Sequence, residues 1–326
     1  MKKIIFALIT LLVLGGAVTF LVKTNLKTTP SPENSTPSSG TAAPGPGDSL
    51  AGSATPNNAP LTFAVIGDTK AFKAGNPNGN LEKAVASLSR QSFAFAFVMG
   101  DLVSSCNGGS SCEKKYAAWK SVMAPILDKT YEVPGNHDRT SGDSADAVWQ
   151  KEFNLPTNGP VDFQELTYSF DSGNAHFVVL DSEKPKEHLV NDVQRNWLEQ
   201  DLTANTKSQT FIFLHEPAFQ MSQDKNDVLD VKPSERDQFW DILKKHNVTA
   251  VFNGHLHMTA RKKQDGIEQF VIGDTDSTAD DIPQKDLTDF GLSGHYYALV
   301  SVEGNNIDVK IYSLTGDLIS DYSFSK

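Results

Sequence analysis

The segment FNGHLHM, Phe252 to Met258, carries two imidazoles two residues apart. The VTAVF run that leads into it is apolar and β-branched, as a buried strand is, and side chains along a strand repeat every two residues. His255 and His257 should therefore leave the strand end on one face. Paired imidazoles begin a metal site, but the other ligands must come from elsewhere in the chain. Four further apolar runs end in the same way: VIGD in Asp68, VMGD in Asp101, VPGNHD in Asn136, His137 and Asp138, and FLHEP in His215. Carboxylate, amide and imidazole without thiolate suit Mn²⁺, Fe, Zn²⁺ or a similar ion better than a structural zinc cage.

These residues are useful only if the strands that carry them lie side by side. Strands are expected at LTFAVI (61–66), FAFAFVM (93–99), TYEV (130–133), LTYSFD (166–171), AHFVVLD (175–181), QTFIFL (209–214) and VTAVF (248–252). Helices are expected at 80–91, 113–127, near 143–153, at 192–202 and at 233–246, the last with Pro233 at its start. The final third changes to strands with turns, in EQFVIGD, YYALVSVEG and NIDVKIYSL. The order is α/β first and antiparallel last. In an open α/β sheet ligands bind beyond the carboxyl ends of the strands, which is where the polar residues fall.

The chain has 326 residues, 39% hydrophobic and 21% charged, an ordinary globular composition with enough apolar material for a sizeable core. Its formal net charge is -11, and the first 60 residues hold four lysines against two acids, so residues 61–326 carry -13. That balance argues against a partner of nucleic-acid polymer type, which needs clustered Lys and Arg. It leaves room for a small anionic substrate brought in by bound cations. Lys2 and Lys3 precede Ile4 to Val22, nineteen residues without a charge, close to the length that spans a bilayer. Residues 1–23 are therefore read as an uncleaved single-pass membrane anchor with the short end inside, a cleaved signal and secretion being the alternative. The Pro, Ser, Thr and Gly-rich stretch 24–60 is read as a disordered linker, and 61–326 as the folded, extracytoplasmic domain. In that compartment Cys106 and Cys112, in SSCNGGSSC, are expected as a small disulfide rather than two free thiols.

The order GD, GD, GNHD, H, GHxH from Gly67 to His257 resembles the calcineurin-like metallophosphoesterase family, with GNHD and GHLH the specific members. The resemblance implies a sandwich of two mixed β-sheets flanked by helices, with the metal site at one edge. It implies two divalent ions bridged by Asp101, one on Asn136, His215 and His255, the other on Asp68 and His257. Two ions about 3.5 to 4 Å apart can clamp a phosphoryl group, and a metal-bound water losing its proton near neutral pH becomes the nucleophile. His137 is then expected as the general acid or as a cation over the phosphoryl charge, with Asp138 orienting its ring or capping the next helix.

One position departs from the family. The first motif is usually Asp-x-His, and GDTKAF places Lys70 where that His would be. A protonated lysine has no lone pair for a metal. Three readings stand: a two-metal site completed by another ligand, a one-metal site in which Lys70 replaces part of the charge, or a site without turnover. Lys70 is also a candidate for contact with substrate phosphate. His176, His188, His246 and His295 lie in no motif and are read as structural or exposed, although GHYY around His295 sits in a late loop that could approach the site. Asp274, in a second VIGDT, could approach it too, but is read as turn chemistry. The function expected is extracytoplasmic hydrolysis of phosphate mono- or diesters, on a phosphorylated small molecule, lipid or cell-surface substrate. Binding of metal or phosphate without catalysis is the alternative.

Overall fold

Alternate positions of FAFAF carry phenylalanine, which a strand displays on a single face, so this run must be buried against something equally apolar. The computed structural model describes residues 60–70, 79–222, 227–275 and 281–326 and shows what that is. Six strands form one sheet: β1 Leu61–Ile66, β2 Phe95–Val98, β3 Thr130–Glu132, and the late strands β11 Tyr296–Glu303, β12 Asn306–Ser313 and β13 Leu318–Ser325. Seven form the other: β4 Tyr168–Ser172, β5 Ala175–Val179, β6 Gln209–Phe213, β7 Ala250–Asn253, β8 Met258–Gln264, β9 Ile267–Val271 and β10 Phe290–Ser293. The orders are β13-β12-β11-β1-β2-β3 and β10-β8-β9-β7-β6-β5-β4. Both sheets are mixed. β1, β2 and β3 run parallel, as do β5, β6, β7 and β9, and the remaining neighbours are antiparallel.

The faces that meet are joined by phenyl rings. Phe97 of β2 stacks on Phe213 of β6 with centroids 3.6 Å apart, Phe95 meets Phe177 at 5.1 Å, and Phe63 of β1 meets Phe177 and Phe211 at 5.4 Å. All six rings are at most 3% exposed. Such pairs add to the area they bury, so this seam fixes how one sheet sits on the other. Helices α1 Gly79–Leu88, α2 Gly109–Met123 and α3 Asp143–Glu152 follow β1, β2 and β3, while α4 Asp192–Ala204 and α5 Pro233–Lys245 cover the second sheet. Leu198, Leu202, Phe239 and Leu243 from the latter two pack on Val178, Ile212 and Val251. α4 is capped by Asn191, whose side chain accepts from the Gln194 backbone N–H.

The fold expected from the family is thus observed. Three strands were not legible: β8, β10 and β13. The anchor 1–23 and nearly all of the linker 24–60 lie outside the described residues. Among the described residues no helix is long and apolar enough to cross a membrane.

Candidate active site

The carboxyl ends of β1, β2, β3, β6 and β7 point to one place, and the chain makes tight turns there to bring its side chains in. Gly100 has φ 90°, and a Cβ on it would lie 2.5 Å from His215 Nδ1. A Cβ on Gly135 would lie 2.5 Å from Asp101 Oδ1. Only glycine lets these backbones approach the ligands so closely. Asp101 (φ 53°) and His255 (φ 66°) sit in the left-handed region without being glycine, a strain that persists only where the surroundings enforce it.

Asp68, Asp101 and His215 are fully buried at the floor of the site. His215 Nδ1 is 2.6 Å from the Met99 carbonyl, which can only accept, so the proton is on Nδ1 and Nε2 presents a lone pair. Around that lone pair lie more acceptors: Asp101 Oδ1 at 3.4 Å, Asn136 Oδ1 at 3.2 Å and Asp68 Oδ1 at 3.9 Å, with His255 Nδ1 at 3.2 Å. His255 gives its Nε2 proton to the Asp227 carbonyl at 2.6 Å, and Asp227 Oδ2 lies 3.3 Å away. Asp68 Oδ2 accepts from the His255 backbone N–H at 2.8 Å, whereas Asp68 Oδ1 is buried without a hydrogen-bond partner. Lone pairs gathered with so few protons among them would be satisfied by a cation between them.

The electrostatics agree. Burial, then the Asp101 charge, push the Asp68 carboxyl up to about 7. Burial also opposes ionisation of Asp101, but His215, Lys70 and His137 hold it below the usual carboxylate range. Burial pushes the His215 imidazole down to about 3, keeping it neutral. Burial works against the charged form of His255 as well, yet the Asp227 hydrogen bond and the charges of Glu216, Asp227 and Asp101 raise it to about 9. His215 is thus held neutral while Asp101 is held as a carboxylate, a donor set that suits a divalent ion. Asp68, Asp101 and His257 also bring ligand atoms within 4.8 Å of one another. Asp101, Asn136, His215 and His255 fit one ion of the metal centre that the family implies.

Lys70 reaches into this second group. Its Nζ donates to Asp101 Oδ2 at 2.9 Å and to His257 Nε2 at 2.8 Å. Since an ammonium has no acceptor, His257 Nε2 must accept, and its Nδ1 faces Asp274 Oδ2 at 3.6 Å. Asp274 is fully buried and its other oxygen accepts from His295 Nδ1. The turn reading of Asp274 is therefore corrected: with His295 on its other oxygen, it stands behind the His257 imidazole, and the late loop of His295 does approach the site. Asp281 Oδ2 accepts from the His257 backbone N–H at 2.9 Å.

His137 stands at the rim, its side chain 37% exposed, with Nε2 3.9 Å from Asp101 Oδ2. Its Nδ1 proton goes to the Ser104 carbonyl at 2.7 Å, so Nε2 is the nitrogen left to exchange a proton with a substrate. The expected orienting role of Asp138 is corrected. Its carboxylate lies underneath, accepting from the backbone N–H of Leu102 (3.1 and 3.2 Å) and Gly135 (3.1 Å) and from the Tyr116 hydroxyl (3.2 Å). It ties the β2 and β3 turns together and caps no helix; α3 starts only at Asp143. Burial and the Asp101 charge push its carboxyl well above the usual range. Cys106 and Cys112 are joined in a disulfide, and the Cys106 backbone N–H donates to the His137 carbonyl at 2.8 Å, so the closed loop supports the rim. Ser104, Asp227 and Asp281 carried no signal in the sequence, because each acts from a loop and two of them through backbone carbonyls.

A mixed two-sheet sandwich thus brings carboxylates, imidazoles and an amide together at one edge. The family model described as calcineurin-like phosphoesterase matches residues 61–259, and the chain belongs to that family. Purple acid phosphatase 13 of Arabidopsis thaliana is 28% identical over 170 residues, 50% of this chain and 31% of that protein. A probable cyclic nucleotide phosphodiesterase of Rhodococcus erythropolis is 27% identical over 171 residues, 51% of this chain and 53% of that protein. The chain therefore spans about a third to a half of these curated relatives. In structure, purple acid phosphatase PPD1 from yellow lupin (Lupinus luteus) seeds superposes with a TM-score of 0.69 at 15% identity, covering 83% of this chain and 55% of that one, a likeness of fold.

Proposed function

We propose that the chain is an extracytoplasmic, metal-dependent phosphoesterase that hydrolyses phosphate mono- or diesters. The observation that carries this reading is the His215 Nε2 lone pair, fixed by the Met99 carbonyl and surrounded by the acceptor atoms of Asp101, Asn136 and Asp68. Asp101, Asn136, His215 and His255 would hold one ion, and Asp68 and His257 are the further ligands the family implies. A divalent ion so held supplies Lewis acidity to a phosphoryl oxygen and lowers the proton affinity of a water.

The chain's own part is to place and protonate. His137 Nε2, with its ring direction set by Ser104, gives a proton to the leaving oxygen. Beside Asn136 opens a cleft of about 350 Å³ lined by Arg139, Lys186, Glu183 and Glu187, a mixed-charge wall against which the alcohol part of the ester would rest. Since a phosphatase and a phosphodiesterase are both among the relatives, both ester classes are candidate substrates. Lys70 in the ligand group is the one observation that favours binding without turnover.

An exported domain is supported by Lys2 and Lys3 ahead of the uncharged Ile4 to Val22 and by the Cys106–Cys112 bond, which persists in an oxidising compartment. The full chain should turn over a chromogenic phosphate monoester or diester, and His137→Ala should lower kcat by about 10² to 10⁴ at unchanged metal content. A variant with full kcat would remove His137 from the mechanism. Protease added to intact cells should digest the domain, and its complete protection would place the domain inside.

A further inference from the structure

Lys70 lies among the residues that the family implies for the second ion. Lys70 follows Thr69, which is pinned twice: its backbone N–H donates to the Asp101 carbonyl at 3.0 Å, and its hydroxyl accepts from Trp119 Nε1 at 2.8 Å. The lysine is thereby sent inward, and its side chain is only 15% exposed. Nζ arrives among Asp68, Asp101 and His257, the three residues whose ligand atoms converge, and bonds two of them. The two oxygens of Asp101 are divided: Oδ2 accepts from Lys70, while Oδ1 accepts from the His137 backbone N–H at 2.9 Å and faces His215 Nε2.

We infer that the centre holds a single divalent ion, on Asp101, Asn136, His215 and His255, and that the Lys70 ammonium takes the place of the second. This rests on the reading of the site as a metal centre. An ammonium there occupies Asp101 Oδ2 and His257 Nε2, two of the acceptors that a second ion would use. It cannot become a ligand, because it has three donors and no lone pair, and its charge repels another cation. The exchange keeps positive charge next to the phosphoryl position while reducing the total by one unit relative to two divalent ions. It also gives hydrogen-bond donors in place of a Lewis acid, so Lys70 would serve the substrate's anionic oxygens as a donor.

The count of ions tests this without relying on turnover. Full-length wild type and Lys70→His are saturated with Mn²⁺, freed of excess by gel filtration, and analysed for manganese per chain and by electron paramagnetic resonance. The wild type should retain one ion with an uncoupled six-line spectrum. Lys70→His, with circular dichroism unchanged, should retain two, with the splitting of an exchange-coupled pair. Two coupled ions in the wild type would overturn the inference, and that count stands even if the variant does not fold. One ion in a folded Lys70→His would overturn it as well, since the lysine would not be what excludes the second. No ion in either protein would remove both the inference and the metal-centre reading. One ion without turnover on any ester upholds the inference and sinks the phosphoesterase, whereas two ions with turnover do the reverse.

Discussion

At the scale of single residues, neighbours in sequence have different work. His137 and Asp138 are adjacent in GNHD, yet one reaches the rim and the other lies under the floor. Asp138 accepts two backbone N–H groups that have no water to turn to, those of Leu102 and Gly135. Removing it with Asp138→Ala leaves both unsatisfied, at about 1 to 3 kcal/mol each, and should lower Tm together with metal retention. Asp138→Asn keeps an acceptor oxygen and should lose distinctly less in a thermal melt. Equal losses would mean that the carboxylate's charge, rather than its bonds to the turns, is what the fold uses. His255 shows the same economy: Nε2 is committed to the Asp227 carbonyl, which leaves Nδ1 facing the centre.

At the scale of elements, the strand ends carry the site and the loops hold it in position. The loop between β2 and α2 is closed by Cys106–Cys112 and presents the Ser104 carbonyl to His137. Opening it in Cys106→Ser/Cys112→Ser should cost about 2 kcal/mol by the chain-entropy account, read as a lower denaturation midpoint, and should reduce kcat more than metal content. An unchanged kcat would separate the disulfide from the orientation of His137. The ligand-bearing strands were legible in the sequence because apolar runs ending in Gly-Asp or Gly-His combine a strand period with a required turn, and LTFAVI matches β1 residue for residue. β8, MTARKKQ, was not, since four consecutive polar residues, Arg261 to Gln264, hide its alternation, although it pairs with β9 across the tight Asp265-Gly266 turn. β13, exposed at alternate positions at the sheet edge, gave too weak an apolar signal. α2 begins at Gly109, inside the disulfide loop, where Gly and Ser argue against a helix until Cys112 is tied down. Asp274 and Asp281 brace His257 through contacts that only the closed sandwich creates.

At the scale of the whole molecule, the phenyl seam brings the two sheets close enough for β2 and β6 to deliver Asp101 and His215 to the same point. Burial elsewhere has a cost that pH can expose. Glu132 on β3 is 3% exposed, accepts from the Thr130 hydroxyl at 2.6 Å, and is pushed up by burial to about 7. A carboxyl with a folded pKa above its unfolded one stabilises most when protonated, so its contribution is full below about pH 4.5 and lost as pH rises through 7. Glu132→Gln should therefore match the wild type in denaturant unfolding near pH 4.5 and exceed it at pH 8 by on the order of 3 kcal/mol. A gap that stays constant between the two would show that Glu132 does not titrate in this range. The most direct test of the central claim is phosphate ester hydrolysis by the full chain after chelation and again after Mn²⁺ is restored, beside His215→Ala. The account predicts turnover that disappears with the metal, returns with it, and is absent in His215→Ala under both conditions. Turnover that survives chelation, or that His215→Ala retains in full, would contradict it.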